Sequence, residues 1–121
     1  MNPDFHDTAK VEKRLRDATN RLHAMVNDVA LARQIKEFSS DQRKTILARY
    51  VAPLLAAGQS AVAAEAMARA SDEYRAEAEI HAKQYQHAEK VIATWYAVNA
   101  TWEAARSLFS MSKETMKQLN G

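Results

Sequence analysis

The sequence predicts an all-α fold, an antiparallel helical bundle or coiled coil with a long C-terminal helix. Three observations carry that prediction. Only 2 Gly and 2 Pro occur in 121 residues, against 24 Ala, so the residues that interrupt helices are scarce and the best helix former is abundant. No stretch alternates polar and apolar residues at period two over a useful length, which half-buried strands require. Apolar residues recur instead at steps of three and four, the spacing of a helix packed along a partner. The length fits one domain over residues 1–121, since domains cluster near ~100–150 residues.

The first helix is expected over residues 3–37. Asn2 is a cap candidate, Pro3 suits the first helical position, and Asp4 complements the positive helix end. Asp7 or Thr8 is a second cap candidate. Its register runs Val11, Leu15, Ala18, Leu22, Met25, Val29, Ala32 and Ile35, nearly a strict heptad. The segment Phe38-Ser39-Ser40-Asp41 reads as a connection, with Ser39 and Gln42 in capping-box spacing. A second helix follows over 41–57, with Pro53 expected to kink or break it and Gly58 placed as the residue just past its end.

An Ala-rich helix is expected over 60–70, and Ser71 then caps a last helix over 71–118, with Asp72 and Glu73 in its first turn. At 1.5 Å per residue the first helix is ~45 Å long and the last ~68 Å, so helices two and three or a second copy of the chain must cover the difference. From Ala88 onward the last helix carries two heptad rows. One is Ala88, Trp95, Trp102, Phe109 and Met116; the other is Val91, Val98, Ala105, Ser112 and Leu119. Leu15, Leu22, Val29, Trp95, Trp102 and Phe109 are therefore expected in the core or in a dimer seam. Upstream, the same register places Glu77, His81 and Gln84 in the seam, and the apolar residues shift to Tyr74, Ala78, Ala82 and Tyr85, as at a stutter.

Charge and motifs exclude several functions. The formal net charge is +2 and there is no Cys, so disulfides, thiol catalysis and thiolate metal sites are absent. The longest apolar run, Tyr50 to Ala57, is far short of the ~20 residues of a spanning helix. The first residues lack the basic-then-apolar pattern of a signal peptide. A soluble protein of the cytoplasm is the expectation. No His-Glu-x-x-His, glycine-rich phosphate loop or Gly-x-Ser-x-Gly occurs. Glu77 and His81 stand at i, i+4, whereas bundle di-iron sites use paired Glu-x-x-His at i, i+3, so the pair reads as a solvated surface contact. No catalytic residue, cofactor, metal or small-molecule substrate is expected.

Two charged groups remain as contact candidates. Arg33, Lys36, Arg43, Lys44 and Arg49 flank the expected junction of helices one and two, where a short connection would gather them at one end of the bundle, enough to touch phosphates. Asp72, Glu73 and Glu77 belong to a stretch, residues 65–89, that carries six acidic and three basic residues. It would pair with basic residues of the first helix or contact a basic partner. Tyr96 lies off the seam and is expected to be exposed, as a partner-contacting aromatic would be.

The string Ala48-Arg49-Tyr50-Val51-Ala52-Pro53-Leu54-Leu55-Ala56-Ala57-Gly58 resembles segments of small α-helical accessory proteins of bacteriophages and prophages. So do Glu89-Lys90-Val91-Ile92-Ala93-Thr94-Trp95 and Trp102-Glu103-Ala104-Ala105-Arg106-Ser107-Leu108. Most members of that class have no assigned function, and no functional residue transfers from them. The resemblance implies a bacterial host cytoplasm and a small accessory role, such as inhibition of a host defence or assistance to phage DNA metabolism. The first functional expectation is thus a non-enzymatic module that binds a host or complex protein through its long helices, as a homodimer. The alternative is a nucleic-acid-binding accessory subunit of a ribonucleoprotein or recombination complex, using the basic cluster.

Overall fold

The computed structural model describes residues 8–120, and every element in that range is helical: α1 (Thr8–Ala56), α2 (Ala61–Ala70) and α3 (Asp72–Asn120). The Asn2, Pro3, Asp4 and Asp7 cap candidates lie outside the described residues.

The principal correction concerns α1. The two helices expected over 3–37 and 41–57 are one helix of 49 residues, and Phe38-Ser39-Ser40-Asp41 lies inside it. Serine is a middling helix former, costing at most ~0.7 kcal/mol relative to Ala, and no Gly or Pro stands near to enforce a stop. Ser39 is not a cap. It is 6% exposed and hydrogen-bonded across to α3. The basic residues therefore do not gather at a bundle end, because no junction exists. Pro53 likewise does not terminate the helix, which continues to Ala56.

The true stop follows Pro53 by one turn. Gly58 N–H donates to the Leu55 carbonyl at 3.0 Å and Gln59 N–H to that of Leu54 at 3.1 Å, the paired bonds of a Schellman motif with Gly58 at C′. Its φ of +95° is a conformation that favours glycine. Ser60 caps α2, its Oγ accepting from Ala63 N–H at 3.2 Å. Ser71 ends α2 and starts α3: its Oγ donates to the Ala68 carbonyl at 2.8 Å and accepts from Tyr74 N–H at 3.2 Å.

Contacts divide the chain into two compact units, residues 1–29 with 91–121, and residues 30–90. In the first, α1 and α3 run antiparallel: Thr8 meets Ser112 at 2.6 Å, and Trp102 Nε1–H donates to Thr19 Oγ1 at 3.0 Å. The buried residues are Val11, Ala18, Val29, Val98, Ala105 and Ser112. The larger Leu15, Leu22, Trp95, Trp102 and Phe109 are half-buried along the edges of that seam. In the second unit, antiparallel segments of α1 and α3 are joined by α2, and the buried residues are Ala32, Ser39, Ala64, Ala68, His81 and Ala88. Helix axes approach closely where the contact residues are small, so both interiors are built from Ala, Val and Ser with one imidazole.

The continuity of α1 has a direct test. Proline is favoured at the first position after a cap but costs ~3 kcal/mol in a helix interior. Ser40→Pro is expected to lower unfolding stability by about that amount in denaturant titration. A variant as stable as the parent would place a helix start at Ser39.

Candidate functional site

The side chains with the most chemistry converge in the unit formed by residues 30–90. The register of α1 steps by seven from Ala32 to Ser39 to Ile46, and that of α3 steps by seven from Ala88 back to His81. These steps bring Ser39 Oγ to 3.0 Å from His81 Nε2, with the two residues 6% and 5% exposed. A hydroxyl beside an imidazole is also the pairing of nucleophilic catalysis. Here both groups project from helix interiors into the seam and hold each other there. Among the described residues, no buried side-chain nitrogen or oxygen lacks a partner. His81 is thus not the solvated surface residue expected from its i, i+4 relation to Glu77.

Glu77 serves a different network. Its Oε1 accepts from the Tyr50 hydroxyl at 2.7 Å, and its Oε2 from Arg49 Nη2 at 2.8 Å. The hydrogen bond to Glu77, reinforced by burial and by the carboxylate charge, pushes the Tyr50 hydroxyl above its ordinary pKa. Tyr50 also stands edge-on to Tyr74, with ring centroids 6.0 Å apart. The Arg49–Glu77 ion pair is partly exposed, with side chains 61% and 34% accessible, so it supplies at most ~1 kcal/mol. Its main effect is to hold α1 and α3 in one register.

A groove lies on each side of this seam. The first, about 500 Å³, is lined by Lys36, Ser40, Arg43, Tyr74, Tyr85 and Glu89, among others. Lys36 Nζ lies 5.8 Å from the Tyr85 ring centroid, within cation–π range. The second, about 490 Å³, is lined by Phe38, Asp41, Thr45, Arg49, Glu77 and Ile80, among others. His81 contributes to both walls.

The predicted contact residues distribute unevenly over this frame. At 3.6 residues per turn, Arg33, Lys36, Arg43 and Lys44 share a sector of about 100° of α1, and Arg49 lies on the opposite side. Lys36 and Arg43 line the first groove and Arg49 the second, so the five cations form no single cluster. Asp72 and Glu73 occupy the first turn of α3, where they complement the helix dipole. Of the acidic group, Glu77 meets the predicted basic residue Arg49. Tyr96 belongs to the other unit, is 60% exposed, and packs edge-on against Trp95 at 5.2 Å. Sequence reasoning missed Ser39, Tyr50, Phe38 and Ile80. Continuing the seven-residue step of the first helix past Ala32 would have found Ser39.

Among the described residues, no group of three or more His, Asp or Glu side chains is arranged to hold a metal ion, and no helix is long and apolar enough to cross a membrane. Comparison with protein-family models, curated proteins and solved structures gives no match to this chain.

Removing one member of the buried polar pair leaves the other without a partner, which costs ~1–3 kcal/mol. Ser39→Ala and His81→Leu are each expected to destabilise by that amount in denaturant titration. The double variant is expected to lose clearly less than the sum. Additive losses would show that the two groups are not coupled.

Proposed function

We propose that the chain is a non-enzymatic protein-interaction module that docks on a partner protein through its long helices and self-associates as a homodimer. The observation that carries this reading is the outward placement of large apolar side chains. In the 30–90 unit, Leu31, Phe38 and Ile80 are 57%, 47% and 59% exposed, while the buried positions hold Ala, Ser and His. Contiguous exposed apolar side chains with a polar rim are the usual mark of a protein-binding surface.

The resemblance of residues 48–58, 89–95 and 102–108 to phage and prophage helical proteins supports an accessory or inhibitor role in a bacterial cytoplasm, and inhibition of a host defence protein is the specific form we propose. The reading calls for no cofactor and no small-molecule substrate.

A second reading, nucleic-acid binding, has one observation in its favour: Arg33, Lys36, Arg43 and Lys44 share one side of α1. Glu37 and Glu89 stand beside them, and a net charge of +2 is weak for phosphate recognition. Affinity capture from a bacterial host lysate, with and without nuclease, separates the two. We expect a specific protein to remain after nuclease treatment and to survive charge reversal by Arg43→Glu with Lys44→Glu. Partners that vanish with nuclease or with that reversal would transfer the function to the basic side of α1.

A further inference from the structure

We infer that the first groove of the 30–90 unit is a binding site for a small organic monoanion, one carboxylate on an aromatic or apolar body. This goes beyond the interaction-module reading and uses the other side of the seam from Phe38 and Ile80. The groove measures about 500 Å³, inside the ~300–1,000 Å³ range of small-molecule sites, which occur among other places between the helices of bundles. Ile46, Ala78, Ala82, Tyr74 and Tyr85 supply its apolar wall.

A buried polar pair forms part of that wall. Ser39 lines this groove and not the second, and its hydroxyl occupies Nε2 of His81. The imidazole is 5% exposed, yet its Nδ1 has no hydrogen-bond partner among the described residues. No buried side-chain nitrogen or oxygen among those residues lacks a partner, so Nδ1 is reached from the grooves that His81 walls. A ring nitrogen of neutral histidine donates or accepts according to its tautomer, so it can meet either kind of polar group. An apolar hollow with a few convergent polar groups is the arrangement that fixes the orientation of a small ligand.

Charge sets the ligand class. Lys36 and Arg43 line the groove against Glu89, so the lining charge is 2 − 1 = +1. Lys36 is already drawn to the Tyr85 ring. Arg43 has no ion pair or hydrogen bond among the described residues, and neither do the hydroxyls of Ser40 and Tyr74. These three residues line both the groove and the hollow that adjoins it. Lys44 stands in that hollow, and so does Arg69, which is committed to Glu65 at 2.9 Å. A guanidinium flanked by hydroxyl donors suits a carboxylate, which it grips through two parallel bonds. Glu89 lies fifteen residues along α3 from Tyr74, ~22 Å at 1.5 Å per residue, beyond the ~8 Å screening length of physiological salt. It therefore leaves the Arg43 end cationic, but it opposes a polyanion laid along the whole groove. The second groove has no such end, because Glu77 takes both Arg49 and the Tyr50 hydroxyl.

The test is a titration of the full chain with benzoate, followed by nuclear magnetic resonance of the backbone amides and the His81 ring, with acetate and inorganic phosphate as parallel probes. Benzoate is expected to give saturable shifts at Ser40, Arg43, Tyr74 and His81, with a dissociation constant of about 1 mM or below. Acetate, which has the carboxylate without the ring, and phosphate, which has no apolar body, are each expected to bind at least about tenfold more weakly. Arg43→Gln is expected to weaken benzoate by about tenfold or more with helicity unchanged in circular dichroism, and Tyr74→Phe to weaken it by a smaller factor. Arg16→Gln removes the same charge from an exposed position in the other unit and is expected to leave binding as it was. The absence of saturable benzoate shifts overturns the inference. So does acetate or phosphate binding as tight as benzoate, or a folded Arg43→Gln variant that binds as the wild type does. Equal losses from Arg43→Gln and Arg16→Gln would also overturn it, by reducing the effect to net charge.

Discussion

Small side chains at the buried positions of α1 and α3 are the constraint on which the remaining features depend. A seam of Ala, Val and Ser allows the two helices to approach closely, but each buried methyl group supplies only ~0.8 kcal/mol. The larger apolar residues are displaced to the edges of the seam, where Leu15, Leu22, Trp95, Trp102 and Phe109 are half-buried, or beyond it, as with Phe38 and Ile80. With its bulky residues flanking the interior, the chain leaves much of their apolar surface exposed. Most of the stability of long helices in proteins comes from tertiary packing rather than propensity, so what covers those flanks bears on stability as well as on function.

The polar layer in the 30–90 unit follows from the same geometry. Where α1 carries Ser39, the facing helix carries His81, and the gap between them is filled by a hydrogen bond instead of a hydrocarbon contact. Such a pair is costly to break from one side and so discriminates against registers that separate its members. One turn further along, Glu77 reaches Tyr50 and Arg49. These contacts hold α1 and α3 in register through the stretch where the apolar periodicity of α3 slips. They also orient the two grooves, one lined by cations and tyrosines, the other by Phe38 and Ile80.

The helical class and the Gly58 and Ser71 caps were legible in the sequence because they depend on local chemistry. Gly58 at C′, Ser71 between two helices and the acidic first turn of α3 are each set by a few neighbouring residues. The continuity of α1 was not legible from the same local rules. Ser39 with Gln42 satisfies the capping-box pattern, and only the partner on α3 makes Ser39 an interior residue. His81 was misread for the matching reason: a histidine in an apolar row looks like a register failure until a hydroxyl stands opposite. The basic residues looked like a cluster only because a helix break was expected between them. Contact between residues some forty positions apart decided each case, and no local pattern encodes it.

The reading we propose has a second copy of the chain cover the apolar side chains that the small-residue seam leaves exposed. Thermal unfolding of the wild-type chain as a function of protein concentration tests it most directly, because association that involves only the folded state raises the midpoint by mass action. The account predicts a melting temperature that climbs steadily with concentration. A midpoint independent of concentration would show that the single chain is thermodynamically complete and would contradict the account.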